Sequence, residues 1–232
     1  MATLLDGLID WWTLNETSGQ RDDSHGTNHL TDVNTVLAAA GKVGNGADFE
    51  LSNSQYLSRA LPGLLDGLTD FTIVFWAKLE SAGATRGLLG QGASGSNSFV
   101  ENTRVFIRRA SGNQDHSFAD PFSTTQFDFF VLRSTPTTIS LRKNDTTTVF
   151  TSTTGALGNV TTAVTQGFRL GSCLGSSGGV EFFWDGGIDE AALYGRSISS
   201  AEETELNAGL TYTDFSGGGS SSGGKRRRRL LM

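Results

Sequence analysis

Short runs of alternating apolar and polar residues recur along the chain, and this period of two is the pattern of β-strands. The run from Phe71 to Lys78 is largely apolar on both faces until Lys78, which predicts a central strand of a sandwich. Further strands are predicted over residues 8–14, 47–49, 55–58, 99–109, 127–133, 139–143, 147–152, 167–171 and 188–194. Asn144 and Asp145 tolerate left-handed backbone, so they predict a hairpin turn between two of these strands.

Helical signal is almost confined to residues 201–208. Ser199 and Glu202 have the spacing of a capping box, and Gly209 stands where a helix C-cap is expected. Strands that recur every ten to twenty residues, without βαβ alternation, favour two antiparallel sheets packed about 10 Å apart. The sequence therefore predicts an all-β fold: a two-sheet antiparallel jelly-roll sandwich with one short C-terminal helix.

Several motifs follow one another in an order that is more specific than any single one. In chain order they are Gly7–Gly19, Asp23–Asn28, Gly41–Phe49, Phe71–Lys78, Phe168–Gly171 and residues 182–205, which read FFWDGGIDEAALYGRSISSAEETE. This series, which covers roughly the first 209 residues, resembles the laminin G-like domains of the concanavalin A-like lectin/glucanase superfamily. The resemblance implies a concanavalin A-like sandwich, recognition of a glycan or another surface ligand, and a structural calcium ion.

Calcium prefers several oxygen ligands from carboxylates and carbonyls. By the resemblance, Asp23 and Asp189 are the candidate calcium ligands, and Glu16 and Asn45 are weaker additions. An alternative stays open for the two aspartates. In it, Asp23 caps its own loop and Asp189 accepts hydrogen bonds from backbone amides across the sheet.

The superfamily includes retaining glucanases, which place carboxylates on one strand as Glu-x-Asp-x-x-Glu, with acid and nucleophile about 5 Å apart. The sequence contains no such triplet. Asp189 and Glu190 are adjacent, so on a regular strand they would face opposite sides. The chain is therefore predicted not to be an enzyme, and a degenerate glycoside hydrolase is the least favoured hypothesis.

An exposed indole can stack on the apolar face of a sugar ring. Adjacent Trp11 and Trp12 must face opposite sides of a strand, so one of them should point away from the inter-sheet core. Trp184 lies where a loop approaches a strand. Trp12 and Trp184 are the predicted glycan contacts, and burial in the core is the alternative.

Composition changes near residue 215 and divides the chain into a domain over 1–215, a Gly/Ser linker over 216–224 and a basic tail over 225–232. The tail contains Lys225, Arg226, Arg227, Arg228 and Arg229. They are five of the 18 basic residues, which leaves 13 against 24 acidic ones, a net charge of −11 for residues 1–224. Such a body repels nucleic acid and anionic membrane, so nucleic acid would be contacted only through the tail. The tail is predicted to bind a protein assembly or an acidic partner.

No secretory signal and no apolar segment of the roughly 20 residues needed to span a membrane is recognisable. No membrane partner is therefore predicted, and localisation stays open, with a virion surface as one placement that fits. The leading hypothesis is a non-catalytic carbohydrate- or surface-ligand-binding adhesion module, tethered by its tail to a larger assembly such as a bacteriophage virion. The alternative is a structural or decoration protein that packs against other virion subunits without binding glycan.

Overall fold

A computed structural model describes residues 3–60, 62–93, 96–162, 166–175 and 179–216. The basic tail and all of the predicted linker except Ser216 lie outside the described residues. The strands are β1 (Leu8–Trp12), β2 (Thr31–Val33), β3 (Leu37–Ala40), β4 (Asn45–Phe49), β5 (Tyr56–Arg59), β6 (Phe71–Leu79), β7 (Gly87–Ala93), β8 (Ser96–Glu101), β9 (Arg104–Arg109), β10 (Gly112–Ser117), β11 (Asp128–Ser134), β12 (Thr138–Lys143), β13 (Thr147–Thr153), β14 (Gln166–Leu170), β15 (Cys173–Leu174), β16 (Val180–Glu181) and β17 (Gly186–Tyr194). The helices are α1 (Ser200–Asn207) and α2 (Tyr212–Ser216), with a 3₁₀ turn over Leu51–Asn53.

Two large antiparallel sheets form the sandwich. The first has the order β13-β12-β11-β6-β17-β4-β3, with β1 also paired to β17, and the second has the order β10-β9-β8-β7-β14-β5-β2. A small hairpin of β15 and β16 forms a separate two-stranded sheet that packs on β7 of the second sheet. This architecture confirms the predicted two-sheet antiparallel jelly-roll sandwich.

Strand β6 is apolar on both faces because its alternate side chains pack into two different buried clusters. Phe75 points into the large core between the sheets, whereas Val74 and Trp76 belong to a second buried cluster on the outer face of the first sheet. Ile198 and Leu206, the latter on α1, pack in that second cluster. Burying each such side chain contributes about 1.5–3 kcal/mol, so both faces stabilise the strand.

Helix α1 begins where the capping box was predicted. The Ser199 side chain accepts a hydrogen bond from the Glu202 amide, and the Glu202 carboxylate accepts one from the Ser199 amide. Gly209 follows with φ +81°, the left-handed conformation that ends helices. The fully buried Glu203 carboxylate fastens the helix to the first sheet through Arg133, at 2.6 Å, and Arg142. Among the described residues, no helix is long and apolar enough to span a membrane.

Three details differ from the sequence-based expectation. The predicted strand 99–109 is a hairpin of β8 and β9, because the chain turns at Asn102 and the Asn102 side chain binds the Arg86 amide at 2.9 Å. Strands β2, β3, β7, β10, β15 and β16 were not predicted from the sequence, and neither was the five-residue helix α2. The turn at Asn144 and Asp145 is as predicted, with φ of +51° and +52°.

Candidate ligand-binding groove

The outer face of the second sheet carries a groove on the hairpin of β8 and β9. Phe99 is paired directly with Phe106 across the two strands. Because side chains alternate along a strand, this register sends Val100, Val105 and Ile107 into the core and leaves the intervening side chains on the outer face. The groove has a volume of about 460 Å³, within the range of small-ligand sites. Its lining consists of Thr85, Asn97, Phe99, Glu101, Arg104, Phe106, Arg108, Leu174 and Phe182.

Two aromatic rings and one guanidinium form the floor of the groove. The rings of Phe99 and Phe106 are stacked, with centroids 5.3 Å apart and planes inclined by 12°. The Arg104 guanidinium lies 5.4 and 5.5 Å from these centroids. Asp115 on β10 accepts two hydrogen bonds from Arg104, at 2.8 and 2.7 Å, and this pairing lowers the pKa of Asp115. The bidentate contact holds the guanidinium in a fixed position beside the rings.

Phe182 lies at the rim of the groove in a conformation that is costly for its residue type. It is 37% exposed and has φ +53°, in the left-handed region that bulky residues avoid. The Gly87 amide donates a hydrogen bond to the Phe182 carbonyl. A Cβ on Gly87 would come within 2.5 Å of the Cys173 nitrogen, so only glycine permits this close approach. Backbone strain that holds an exposed aromatic side chain points to a functional position.

Glu101 is a buried carboxyl group in the lining. Burial raises its pKa, while the Cys173 thiol, 3.6 Å from its Oε1 atom, and the Arg104 charge oppose that effect. Burial also raises the pKa of the Cys173 thiol far above its ordinary value, so Cys173 is not a reactive nucleophile. The groove thus offers one acceptor carboxylate, guanidinium and amide donors, and an aromatic surface.

The predicted glycan contacts Trp12 and Trp184 are wrong as exposed stacking surfaces, because both side chains are buried. Trp12 stacks on Phe168, with centroids 5.5 Å apart, inside the inter-sheet core. Trp184 packs edge-on against Phe122 at 5.0 Å in the same core. Trp11 faces the opposite side, as strand geometry requires, but it is also buried, beside Tyr212 at 6.2 Å.

The calcium candidates are not brought together. Asp23 accepts hydrogen bonds from the backbone amides of Trp11, His25 and Asn28, each at 3.0 Å. Glu16 accepts one from the Asp22 amide, and Asn45 donates from its side chain to the Asn15 carbonyl. The three predicted carboxylates do not form a described group with oxygens within 4.8 Å of one another. They therefore do not fit one calcium coordination sphere.

Asp189 and Glu190 lie where β17 changes its neighbour from β4 to β1 and the register shifts. Asp189 accepts hydrogen bonds from the amides of Lys42 and Val43, at 2.8 and 2.9 Å, which is the alternative that the sequence left open. Glu190 accepts one from the Trp11 indole at 2.5 Å. Burial raises the pKa of Asp189 to about 6 and that of Glu190 to about 8. The Asp189 Oδ1 atom is buried and has no hydrogen-bond partner among the described residues. Calcium binding by Asp189 stays a prediction.

An acidic cluster and a second cavity lie outside the groove, and neither has its combination of exposed aromatic and polar side chains. Glu50, Glu80 and Asp185 have carboxylate oxygens within 4.8 Å of one another, but two of these residues are exposed, as solvated acidic groups often are. A second cavity of about 420 Å³ lies beside Trp76, on the first sheet. Its Asp128 carboxylate is already engaged by neighbouring side chains, namely Gln126, Lys143 and Asn144.

No model of a known protein family matches the chain, and neither does any curated protein sequence. Solved structures do match. Domain 4 of AbnA, an extracellular arabinanase of Geobacillus stearothermophilus, in complex with arabinotriose, aligns with a TM-score of 0.62 and 16% identity over 86% of this chain and 98% of that domain. The botulinum neurotoxin serotype D ligand-binding domain, in complex with N-acetylneuraminic acid, aligns with a TM-score of 0.61 and 12% identity over 88% of this chain.

A Trypanosoma rangeli sialidase aligns with a TM-score of 0.58 and 14% identity over 89% of this chain. The chain spans about half of the neurotoxin domain, 51%, and 33% of the sialidase. At these identities the likeness shows the fold, a β-sandwich shared with carbohydrate-binding domains. The laminin G-like resemblance stays a prediction at the level of the family.

Proposed function

We propose that the chain is a non-catalytic glycan-binding module and that the groove on β8 and β9 is its binding site. The observation that carries the proposal is the strained and exposed Phe182, which lines the same groove as the stacked rings of Phe99 and Phe106. Sugar rings present an apolar face to aromatic side chains and hydroxyl groups to polar ones. Asn97, Arg108 and Glu101 supply such polar partners in the same groove. The alignment covers 98% of AbnA domain 4, whose structure contains arabinotriose, and this supports sugar binding by a sandwich of the same fold.

The same proposal states that the groove does not catalyse glycan hydrolysis. Asp115 beside the groove is held by Arg104, and the ion pair lowers its pKa, so it is a poor proton donor. Glu101 then has no described companion in the lining for a two-carboxylate hydrolysis. An assay of hydrolysis on any glycan that binds tests this statement directly, and turnover abolished by Glu101→Gln would refute it.

Two exposed apolar side chains allow a matched test of the site. Among the described residues, Phe182 and Leu37 are the large hydrophobic side chains that are exposed, and Leu37 lies on the edge strand β3. Phe182→Ala should weaken glycan binding about fivefold in a glycan array followed by calorimetry, because an aromatic contact is worth roughly 1 kcal/mol. Leu37→Ala should leave binding unchanged. No binding to any glycan by the wild-type chain, or equal losses in both variants, would refute the proposal and favour the structural or decoration role.

We also propose that the basic tail tethers the module to a larger assembly, such as a virion. The support is electrostatic: the tail carries five positive charges, whereas residues 1–224 carry a net charge of −11. Deleting residues 217–232 should release the chain from particles that co-sediment with it from the producing cells. The melting temperature should change by less than about 2 °C, because the deleted segment consists mostly of Gly, Ser, Lys and Arg, residue types that contribute little to a hydrophobic core. Continued co-sedimentation of the shortened chain would remove the tether from the proposal.

A further inference from the structure

A further cavity adjoins the groove at the turn between β8 and β9. We call it the end cavity; it has a volume of about 340 Å³ and is lined by residues 82–85, Asn102, Thr103, Asp120 and Phe122. Thr85 lines the groove as well. Asn102 and Thr103 form the turn between the two strands that carry the stacked rings of the groove. The end cavity and the groove therefore meet at Thr85 and are neighbouring parts of one surface.

Hydrogen bonds of one buried side chain hold the wall of the end cavity in place. The Asn102 side-chain oxygen accepts a hydrogen bond from the Arg86 amide at 2.9 Å. Its side-chain nitrogen donates to the Ala84 carbonyl at 3.1 Å and to the Asp120 carboxylate at 2.6 Å. These contacts tie the loop before β7 and the loop after β10 to the same turn. A wall that is fixed before a ligand arrives loses little conformational entropy on binding.

The end cavity offers space and hydrogen-bonding groups. Ala82, Gly83 and Ala84 are exposed and have no side chain larger than a methyl group, so they leave room for a ligand. The hydroxyl groups of Thr85 and Thr103 make no hydrogen bond within the described part of the chain. A hydroxyl group both donates to and accepts from another hydroxyl group, so these two side chains suit a sugar unit.

The groove and the end cavity are too far apart for one sugar ring to fill both. Asn102 follows Phe99 by three residues, which is about 10 Å along a strand and more than the length of a single ring. We propose that the ligand is an oligosaccharide, with one unit against Phe99 and Phe106 and a further unit in the end cavity beside Thr85 and Thr103. This inference rests on the proposed glycan-binding function. Affinity should then rise with the number of sugar units, since each added unit gains contacts of its own.

The probes are series of one, two and three units of glucose, galactose, xylose, arabinose and N-acetylglucosamine, displayed on an array and titrated by calorimetry. In a series that binds, the trisaccharide should bind about tenfold more tightly than the monosaccharide. Ala82→Trp places an indole in the end cavity. It should weaken binding of the trisaccharide about fivefold and change the affinity for the monosaccharide by less than about twofold.

Three comparison variants locate the effect. Ala201→Trp introduces the same side chain at an exposed position on α1, against the other sheet, and should leave both affinities unchanged. Thr103→Val keeps the shape of its side chain and removes one hydroxyl group from the end cavity, so it should weaken the trisaccharide about threefold and spare the monosaccharide. Phe182→Ala should weaken every member of the series, because Phe182 lines the groove. A circular dichroism melt of each variant verifies that it is folded.

The outcomes separate this inference from the proposed function. Equal affinities for the monosaccharide and the trisaccharide would overturn the oligosaccharide site and leave glycan binding in place. A preference for the trisaccharide that both Ala82→Trp and Thr103→Val leave intact would overturn the role of the end cavity. If no member of any series binds, the proposed function fails, and this inference fails with it.

Discussion

Glu190 should make the fold less stable as the pH rises, and replacing it with glutamine should remove that loss. The side chain is 2% exposed at the bulge of β17. Its Oε2 atom accepts a hydrogen bond from the Trp11 indole at 2.5 Å, and its Oε1 atom accepts none from the described residues. The pKa of Glu190 is raised from 4.5 to about 8: burial is the largest cause, the indole contact opposes it, and the charges of Asp189 and Asp214 add to it.

The sign of the effect follows from proton linkage. Because the folded-state pKa lies above the unfolded-state value, the folded form gains from the bound proton below pH 4.5 and loses that gain as the pH rises through about 8. The difference between a pKa of 4.5 and one of about 8 corresponds to an upper bound of about 5 kcal/mol. Relaxation around a buried charge reduces such a penalty, so we expect about 1–3 kcal/mol at pH 9.

Urea unfolding of Glu190→Gln and the wild-type chain at pH 5 and pH 9, with EDTA present, measures this difference. The variant should be more stable by about 1–3 kcal/mol at pH 9, or about 3–10 °C in melting temperature. At pH 5, just above the unfolded-state pKa, the two free energies of unfolding should differ by less than about 1 kcal/mol. Glu205→Gln, an exposed control on α1, should show no difference at either pH. A difference that does not grow between pH 5 and pH 9 would refute the buried-ionisation reasoning.

Three further outcomes are expected. Glu203→Ala leaves the guanidinium groups of Arg133 and Arg142 without their buried partner, so the free energy of unfolding should fall by about 3–5 kcal/mol, whereas Glu205→Ala should change it by less than 0.5 kcal/mol. If Asp189 binds calcium, 1 mM CaCl₂ should raise the wild-type melting temperature and leave that of Asp189→Asn unchanged; a rise that persists in the variant would exclude Asp189 as a ligand. Replacing Asn144 and Asp145 together with alanine should cost about 1–3 kcal/mol in urea unfolding, because both residues have positive φ, and a neutral result would contradict that cost.

The elements that the sequence predicts best are those whose determinants are local. The capping box of Ser199 and Glu202 and the left-handed turn at Asn144 each depend on residues a few positions apart. Strand β6 was predicted as central because both of its faces are apolar, and the structure buries each face in a different cluster. Local signals of this kind need no knowledge of the rest of the chain.

Strand β7 shows what a sequence alone hides. Its glycines at 87, 90 and 92 are typical of a loop, yet two of them lie under the β15–β16 hairpin. A Cβ on Gly90 would lie 2.9 Å from the Cys173 Cα atom, so the strand requires glycine because a distant segment packs on it. The turn at Asn102 was not predicted because its sequence lacks the usual turn signal. It has neither Gly nor Pro, and its side-chain contacts to Arg86 and Asp120 replace the usual turn residues.

The error about the tryptophans has a physical cause that also identifies the groove. Large indoles were taken as sugar platforms, but Trp12 is required by the inter-sheet core and Trp11 by the cluster that α1 helps to cover. Because α1 helps to cover the outer face of the first sheet, the outer face of the second sheet is the one on which a ligand can lie flat. Along β8 and β9, aromatic and charged residues share the face opposite to Val100 and Val105, a period-two signal that becomes visible only when the turn at Asn102 divides the segment into two strands. A sequence-based prediction would therefore have to place the turn at Asn102 correctly before it could identify the groove residues on β8 and β9.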